Sequence, residues 1–464
     1  MIPVSQFSGR QVAVVGLGKS GLATATALSR SGARVWAWDD SEVARVRATQ
    51  EGITLQLPDV ERLRGCAALI LSPGIPLTHP APHPVAQLAR EAGCPIIGDI
   101  ELLYGAQKTA RYLGITGTNG KSTTTALIGH ILQTAGEPVQ VGGNLGAPAL
   151  GLDPLTAGGT YVLELSSYQL DLLAEAVFNV AVLINITPDH LNRHGGMAGY
   201  VKAKTRIFEG GAAADAAIVG MDDSHSVAIY EELRETSSRR VIGISAQKAI
   251  SGGVYVTNGT LFDALDGEAE PVRSLTDIPT LPGLHNWQNV AAAYAAVRAL
   301  GLPRGVIAEA LGTYPGLAHR MERAGVVDGI LYVNDSKATN ADAAIRAMAC
   351  YDDIYWIIGG LAKEGGLSGV DPFLPRVRRA FLIGDATESF AEYLEGKVPY
   401  TRCGTLETAV DRAREAAVTE HVEGAVVLLS PACASFDQFP NFEIRGDSFK
   451  KLVAALPGER ENAA

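Results

Sequence analysis

A short segment between two apolar patterns carries the residue types that bind nucleotide phosphates. Residues 117–123 read Gly-Thr-Asn-Gly-Lys-Ser-Thr and directly follow a predicted strand. The two glycines would let backbone N–H groups surround phosphate oxygens at a helix N-terminus, Lys121 would reach the β and γ oxygens, and Ser122 could ligate Mg²⁺. Ile115 stands where the strict phosphate-loop pattern has its first glycine, so a turn without a ligand is the alternative. We expect this loop to bind ATP or GTP.

Two polar side chains lie where neighbouring predicted strands of the same region end. Glu164 belongs to the strand of residues 161–165, and His190 follows the strand of residues 180–186. An acid at a strand end can complete a magnesium site, although a helix N-cap is the alternative role for Glu164. A buried, hydrogen-bonded histidine is the alternative for His190, but open α/β sheets bind ligands at this edge, which favours a functional role.

The N-terminal segment starts with a strand, a glycine turn and a helix. An apolar run at residues 12–15 leads into the pattern G-x-G-x-x-G at residues 16–21, and a second strand ends at Asp39. An acid about 20 residues beyond such glycines is typical of a Rossmann-like dinucleotide site. The same glycines would equally serve any close approach of backbone to a ligand or the packing of a helix on a strand, so an NAD-dependent dehydrogenase is only one alternative that the motif leaves open.

Length and composition limit the class of protein. A chain of 464 residues is long enough for about three domains, and 51 glycines with 23 prolines fit the many turns of an α/β fold. The net charge of −11 disfavours nucleic acid as a partner. Five cysteines without a C-x-x-C pair indicate a reducing cytoplasm rather than disulfides or zinc. No stretch is apolar enough for a signal peptide or a membrane span.

The strand-and-helix pattern restarts twice along the chain. The first restart is the strand at residues 112–115 that precedes the phosphate loop, followed by a helix that ends near Ala135. The second comes after Pro315 and Gly316, with strands near residues 331–333, 354–358, 380–383 and 426–429. We therefore predict an α/β fold built from several sheets.

Seven motifs occur together in one order. They are the phosphate loop, Glu164-Leu-Ser-Ser-Tyr-Gln, Asn185-Ile-Thr-Pro-Asp-His190, Gly283-Leu-His-Asn286-Trp-Gln-Asn289, His319-Arg320, Asn334-Asp335-Ser-Lys337-Ala-Thr339-Asn, and the segment from Ser430 to Phe442. In these motifs the whole chain resembles the Mur ligases, which build the peptidoglycan precursor. The last two are similar to those of the member that adds D-glutamate.

This resemblance implies three domains and a reaction. The expected division is an N-terminal Rossmann-like domain for a UDP-sugar at residues 1–99, a central ATPase domain with a parallel sheet at 100–316, and a C-terminal dinucleotide-fold domain for the amino acid at 317–464. The implied enzyme is an ADP-forming ligase that joins D-glutamate to UDP-N-acetylmuramoyl-L-alanine through an acyl phosphate. It would use ATP and two Mg²⁺, act as a cytoplasmic monomer, and need no nucleic acid or membrane.

The resemblance also implies roles for particular residues. ATP would contact Gly117, Thr118, Asn119, Gly120, Lys121, Ser122, Thr123, Asn286, Asn289, Arg320 and Asp335. The UDP-sugar would contact Ser20, Asp39, Ser72, Gly74, Asn144 and His190. D-glutamate would contact Lys337, Thr339, Lys363, Ser435 and Phe442. One Mg²⁺ would lie at Ser122 and Glu164 and a second near His190 and a carbamylated Lys204, with Lys121, Glu164, His190 and Lys204 forming the catalytic set.

Alternatives to this interpretation remain open. A sister Mur ligase or a folylpolyglutamate-type ligase would share the phosphate loop and add another amino acid. A dehydrogenase or a nucleotide-gated binding protein without turnover would belong to another class. For Lys204 the residues alone predict a solvated helix face, because it lies in the charged stretch of residues 202–206.

Overall fold

A computed structural model describes residues 1–212, 215–363 and 365–460. The chain forms two compact units: residues 1–277 with 284–314, and residues 278–283 with the chain from 315 onward. The predicted α/β class is confirmed, with three separate sheets. The division into three domains with boundaries near 99 and 316 stays a prediction. Among the described residues, no helix combines the length and apolarity needed to cross a membrane.

The first sheet belongs to the N-terminal part of the first unit. Its strands are β1 (Gln11–Val15), β2 (Arg34–Trp38), β3 (Thr54–Leu55), β4 (Leu69–Leu71) and β5 (Ile96–Ile97), and its helices are α1 (Lys19–Arg30), α2 (Glu42–Gln50), α3 (Val60–Arg64), α4 (Pro84–Ala92) and α5 (Asp99–Ala106). The order β3-β2-β1-β4-β5 is parallel throughout. The strand order reverses between β1 and β4, where such a sheet opens a crevice for ligands.

The second sheet has nine strands and carries the phosphate loop. They are β6 (Arg111–Thr116), β7 (Val139–Gly143), β8 (Thr160–Glu164), β9 (Val180–Leu183), β10 (Ala216–Gly220), β11 (Arg240–Ser245), β12 (Val254–Thr257), β13 (Thr260–Asp263) and β14 (Glu270–Ser274). The helices of this part are α6 (Lys121–Thr134), α7 (Ser167–Leu170), α8 (Leu191–His194), α9 (Met197–Thr205), α10 (Ser224–Thr236), α11 (Leu284–Ala299) and α12 (Arg304–Gly312). The order is β14-β13-β12-β11-β10-β9-β6-β8-β7, in which β13 and β14 are antiparallel additions to a parallel sheet.

The second unit holds a six-stranded sheet. Its strands are β15 (Glu322–Val327), β16 (Ile330–Asn334), β17 (Ile354–Gly359), β18 (Val377–Ile383), β19 (Tyr400–Gly404) and β20 (Val426–Leu429), and its helices are α13 (Ala341–Met348), α14 (Thr387–Leu394), α15 (Leu406–Glu420) and α16 (Phe442–Ala455). The order is β15-β16-β20-β17-β18-β19, and β15 is antiparallel to β16.

Burial explains why the central strands are apolar along their whole length. Every residue of β8, β9 and β17 is buried, as expected where helices cover both faces of a parallel sheet. Helix α11 is also buried along most of its length and packs against α6 and the strands β10 to β12. Its alanine-rich sequence permits this close approach, which brings the asparagines of its first turns beside the phosphate loop.

One predicted strand is shorter than expected. The run of residues 180–186 was predicted to be a strand throughout, but β9 ends at Leu183. Beyond that point the backbone and side chain of Asn185 accept hydrogen bonds from the phosphate loop instead of a neighbouring strand. Because β9 ends early, Asn185 is available to accept hydrogen bonds from the phosphate loop.

The buried carboxylate of Glu101 connects α5, the helix that follows the first sheet, to residues 174–176, which precede β9 of the second sheet. The two oxygens of Glu101, on α5, accept three hydrogen bonds from the backbone N–H groups of Ala174 (2.7 Å), Glu175 (3.1 Å) and Ala176 (2.9 Å). Glu101 is only 7% exposed. Three donors on one buried carboxylate compensate for its loss of hydration.

We predict that Glu101→Ala lowers the free energy of unfolding by about 2–3 kcal/mol, because three backbone N–H groups lose one buried, charged acceptor. Urea denaturation followed by circular dichroism measures this difference. Glu91→Ala, at an exposed position on α4, is the matched control and should change stability little. Equal stability of the two variants would contradict this role for Glu101.

Candidate active site

The conformation of the phosphate loop is fixed by its two glycines and by hydrogen bonds to Asn185. Gly117 and Gly120 have φ angles of 154° and 84°, and a Cβ at Gly120 would collide with the side chain of Asn289. The N–H groups of Thr118 and Asn119 donate to the carbonyl and side-chain oxygens of Asn185, each at 2.9 Å. Glycine is therefore required at position 120 both by its backbone conformation and by the space available.

Lys121 closes over this loop. Its Nζ donates to the carbonyl oxygens of Gly117 and Thr118, both at 2.8 Å. Lys121 is the first residue of α6, so its charge lies at the helix N-terminus where anions are favoured. A phosphate group that enters the loop would meet this ammonium and the N–H groups of the first turn of α6.

The two predicted asparagines of α11 lie beside the loop. Asn289 Oδ1 accepts a hydrogen bond from Thr124 on α6 at 3.4 Å, and Asn289 Nδ2 donates to Asn286 Oδ1 at 3.3 Å. Both asparagines are buried. The structure therefore brings Asn286 and Asn289 to the phosphate loop, while the other two predicted nucleotide contacts, Arg320 and Asp335, belong to the second unit.

Glu164 has one oxygen that is free to bind a ligand. Its Oε1 accepts from Asn144 Nδ2 at 2.7 Å, whereas its Oε2 is buried and has no hydrogen-bond partner among the residues that the structure describes. Glu164 and Ser122 are both buried, at 3% and 7% exposure. A buried carboxylate oxygen without a donor fits a bound cation, because hard oxygen ligands are what Mg²⁺ prefers. Asn144, predicted to contact the UDP-sugar, contacts this acid.

Lys204 is not on a solvated face. It is 1% exposed, and its Nζ donates to Gly117 O at 2.7 Å and to Thr116 Oγ1 at 3.3 Å. The same Nζ lies 4.8 Å from the centre of the Tyr200 ring. The interpretation from residues alone was therefore wrong: the helix turns this lysine inward, away from its charged neighbours. Burial, followed by repulsion from Lys121, holds the pKa of the Lys204 ammonium well below its usual value.

His190 lies at the edge of the same region. It precedes α8 with a left-handed backbone (φ 50°), and its ring is half exposed and 5.2 Å from the ring of Tyr168. The Nε2 atom is 3.4 Å from the carboxylate of Asp189. His190 can therefore reach a ligand without first leaving a buried position.

These residues do not form a metal cage made of protein atoms alone. Within the described ranges, no three His, Cys, Asp or Glu side chains are close enough to hold an ion together. The donor set around Glu164 suits Mg²⁺ only if phosphate oxygens and water complete its coordination, which is the usual arrangement at nucleotide sites. The fit rests on the unpartnered Oε2 of Glu164.

In the N-terminal part, the predicted UDP-sugar residues surround the glycine turn. The carboxylate of Asp39 accepts hydrogen bonds from Leu17 N and from Ser41 N at 2.8 Å. Ser72 Oγ donates to Gly16 O at 2.8 Å. A Cβ at Gly21 would overlap the carbonyl of Gly16, so the third glycine serves helix packing. Ser20 and Gly74 are both partly exposed and available to a ligand.

In the second unit, Asp335 is buried beside two donors. Its Oδ2 accepts from Ser430 Oγ at 2.8 Å and its Oδ1 from Met321 N at 3.2 Å. Burial raises the pKa of Asp335 to about 7, although Ser430 and the charge of Arg320 oppose that shift. The Nε of Arg320 is buried, and within the described part of the chain it has no hydrogen-bond partner.

The predicted D-glutamate residues are brought together in pairs. Lys363 Nζ donates to Thr339 Oγ1 at 3.3 Å, and Lys337 Nζ lies 5.4 Å from the centre of the Phe442 ring. Ser435 is buried, and its backbone carbonyl accepts from Phe439 N. The five residues thus form two pairs, Thr339 with Lys363 and Lys337 with Phe442, and Ser435 belongs to neither pair.

Sequence reasoning missed three residues that organise these sites. Asn185 holds the phosphate loop, and Tyr200 OH lies 3.1 Å from Thr118 Oγ1. Arg445 is 1% exposed and donates to Ser336 and to the carbonyl of Cys433. Asn185 lies in one of the seven motifs and Tyr200 and Arg445 in none, and no periodicity distinguishes a side chain that binds its own backbone from one that binds a ligand.

Two family models match the chain. Residues 10–98 match the MurD-like N-terminal domain of Mur ligases, and residues 115–297 match the Mur ligase middle domain. The UDP-N-acetylmuramoylalanine–D-glutamate ligase of Rhodospirillum rubrum is 52% identical over 468 residues, covering 100% of this chain and 98% of the relative. The chain belongs to the Mur ligase family. The ligase of the same name from Paramagnetospirillum magneticum is 54% identical to this Mur ligase, over 98% of the chain and 99% of the relative.

Solved structures with much lower identity share the fold of this Mur ligase. The UDP-N-acetylmuramate–alanine ligase MurC of Thermotoga maritima matches with a TM-score of 0.57 at 16% identity, over 96% of this chain and 99% of that chain. The MurF ligase of the same organism, solved in complex with ADP, matches with a TM-score of 0.56 at 18% identity, over 97% and 96%.

We predict that Asp335 makes stability depend on pH. Its folded pKa of about 7 lies above its usual value of 3.8, so the folded state binds its proton more tightly than the unfolded state does. The stability that this proton supplies is complete below about pH 4 and is lost as the pH rises to about 7. Relative to wild type, Asp335→Asn should therefore gain thermal stability between pH 5 and pH 8 in melting experiments. A stability difference that does not change with pH would contradict this assignment.

Proposed function

We propose that this Mur ligase joins D-glutamate to UDP-N-acetylmuramoyl-L-alanine and cleaves ATP to ADP and phosphate. The observation that supports this proposal most strongly is that the phosphate loop, the free oxygen of Glu164 and the buried Lys204 lie at one edge of the second sheet. The chain is also 52% identical to a UDP-N-acetylmuramoylalanine–D-glutamate ligase. We further propose that it acts as a cytoplasmic monomer, with the three domains predicted above.

ATP supplies the energy that the condensation lacks in water. An oxygen of the alanyl carboxylate would attack the γ-phosphorus, the bond to the β-phosphate oxygen would break, and ADP would leave with that electron pair. Lys121 and the loop N–H groups neutralise charge on the transferring phosphoryl group. Arg320, whose Nε has no hydrogen-bond partner, would carry the same role from the second unit.

The amine of D-glutamate then attacks the carbonyl carbon of the acyl phosphate. The tetrahedral intermediate collapses with loss of phosphate, and the amine proton is released to a base or to water. Lys337, Thr339, Lys363, Ser435 and Phe442 would hold the amino acid, because the two ammonium groups complement its two carboxylates. Asp335 would bind the ribose hydroxyls of the nucleotide.

Magnesium has a place in this arrangement. Ser122 and Glu164 would hold one ion, and His190 with a carbamylated Lys204 would hold a second. When bound, the ions would reduce the repulsion between the carboxylate and phosphate anions. The chain's own contributions are the free oxygen of Glu164 and a buried amine beside Gly117.

The UDP-sugar would occupy the crevice above the first sheet. Ser20, Asp39, Ser72 and Gly74 surround the glycine turn there, and the N-terminus of α1 favours a diphosphate. This assignment gives the N-terminal glycines a role without a nicotinamide cofactor. Asn144 and His190 would meet the sugar end, nearer the phosphate loop.

A phosphate-release assay tests the proposed function directly. It is run with UDP-N-acetylmuramoyl-L-alanine, ATP and Mg²⁺, adding D-glutamate, L-glutamate, L-alanine or L-lysine in parallel. We expect release that depends on both the UDP-sugar and D-glutamate. Turnover with a different amino acid would favour a sister ligase, and absence of turnover with any amino acid would contradict a ligase.

Lys121→Ala should reduce kcat by at least about 100-fold, since a lost charge contact at the transferring phosphoryl group costs several kcal/mol. Steady-state kinetics measure this change, and calorimetric binding of the UDP-sugar should persist. Lys108→Ala, at an exposed position before β6, is the control. Retention of more than a tenth of the wild-type kcat would overturn the assignment of the loop.

Lys204 gives a separate prediction. A lysine amine whose pKa is lowered by burial is available to react with CO₂, so activity should fall in degassed buffer at mildly acidic pH and recover on adding bicarbonate. Lys204→Ala should abolish turnover, and Lys202→Ala, exposed on the same helix, should not. Near-normal activity of Lys204→Ala, or no carbamate signal with ¹³C-bicarbonate, would contradict the carbamate.

A further inference from the structure

Arg193, three residues after His190, binds the loop that follows β4. Its Nη2 donates to the carbonyl oxygens of Pro73 (3.2 Å) and Ile75 (2.6 Å), and its Nη1 donates to the carbonyl of His79 (3.2 Å). One side chain of the second sheet region therefore holds three backbone carbonyls of a loop from the first sheet.

The guanidinium of Arg193 also packs on the ring of Tyr168, which is a neighbour of His190. The Cζ of Arg193 lies 4.9 Å from the centre of the Tyr168 ring, and that ring is 5.2 Å from the ring of His190. Next to α8, a Cβ at Gly195 would lie 2.7 Å from Nε2 of His79, so the loop also packs against bare backbone. Arg193, which holds the loop, and the ring of His190 therefore both pack against the ring of Tyr168.

The loop concerned is the one assigned to the UDP-sugar. It begins with Ser72 and Gly74, directly at the carboxyl end of β4. A guanidinium is planar and presents several N–H groups at once, so it can bond three carbonyls whose positions are then fixed relative to each other. A lysine ammonium in its place would be a point charge that does not reproduce this geometry.

We propose that Arg193 is a positioning residue that fixes the UDP-sugar loop, residues 72–79, in register with His190. The substrate carboxylate would then arrive at the phosphate loop in one orientation. The inference rests on the proposed function, because it takes residues 72–79 as the UDP-sugar site. No direct contact of Arg193 with the substrate is needed.

The test compares Arg193→Lys with Arg239→Lys. Arg239 is the control, because it is a more buried arginine that likewise donates to backbone carbonyls, those of Gly210 and Phe178, away from the loop. We expect Arg193→Lys to raise the KM for UDP-N-acetylmuramoyl-L-alanine about tenfold, the effect of losing one charged hydrogen bond. The KM for ATP should change by less than about twofold, since the two sites are separate. Arg239→Lys should change neither constant.

Calorimetric titration without ATP separates positioning from general damage. Arg193→Lys and Arg193→Gln should both bind UDP-N-acetylmuramoyl-L-alanine more weakly, while ADP affinity, measured on the same preparations, stays at the wild-type value. Equal UDP-sugar affinity of wild type and both variants, or equal weakening by Arg239→Lys, would overturn the inference. Wild-type protein that fails to bind this UDP-sugar at all would contradict the proposed function itself, and the inference with it.

Discussion

One backbone carbonyl organises the proposed reaction centre. The oxygen of Gly117 accepts hydrogen bonds from the ammonium groups of both Lys121 (2.8 Å) and Lys204 (2.7 Å). Two like charges on one acceptor repel each other, and this repulsion adds to the effect of burial in lowering the pKa of Lys204. An anion in the phosphate loop relieves it, and so does loss of the Lys204 charge. The chain as a whole has a net charge of −11, so the charge of Lys121 at the N-terminus of α6 is what would favour an anionic ligand here.

The fold produces this concentration by ending several elements at the same edge. Strands β6, β8 and β9 lie side by side, and their carboxyl ends supply the phosphate loop, Glu164 and Asn185. The buried helix α11 closes the loop from another side with Asn289. Arg193 donates to the loop that follows β4 in the first sheet, and it packs on the Tyr168 ring that also contacts the ring of His190. Arg193 donates to backbone carbonyls, whereas Asn289 accepts from the side chain of Thr124, so the geometry depends on the chain path and on these side chains together.

The sequence predicted the parts with strong local signals. The α/β class followed from repeated strand-and-helix patterns, and the phosphate loop followed from its glycines and lysine. The antiparallel hairpin of β12 and β13 was missed, although Asn258 and Gly259 at its turn have positive φ angles of 50° and 73°, as a two-residue hairpin requires. The burial of Lys204 could not be predicted from its neighbours, because a helix within a charged stretch shows no periodicity that distinguishes an inward-facing lysine from a solvated one. The free oxygen of Glu164 is likewise a property of tertiary packing.

The central claim is that the substrate carboxylate is activated as an acyl phosphate at this sheet edge. The most direct measurement uses UDP-N-acetylmuramoyl-L-alanine labelled with ¹⁸O in its alanyl carboxylate, with ATP, Mg²⁺ and D-glutamate, and mass spectrometry of the released phosphate. Because the carboxylate oxygen that attacks phosphorus leaves with the phosphate, the account predicts one ¹⁸O per phosphate from fully labelled substrate. Phosphate without ¹⁸O, formed at the same rate as product, would contradict it.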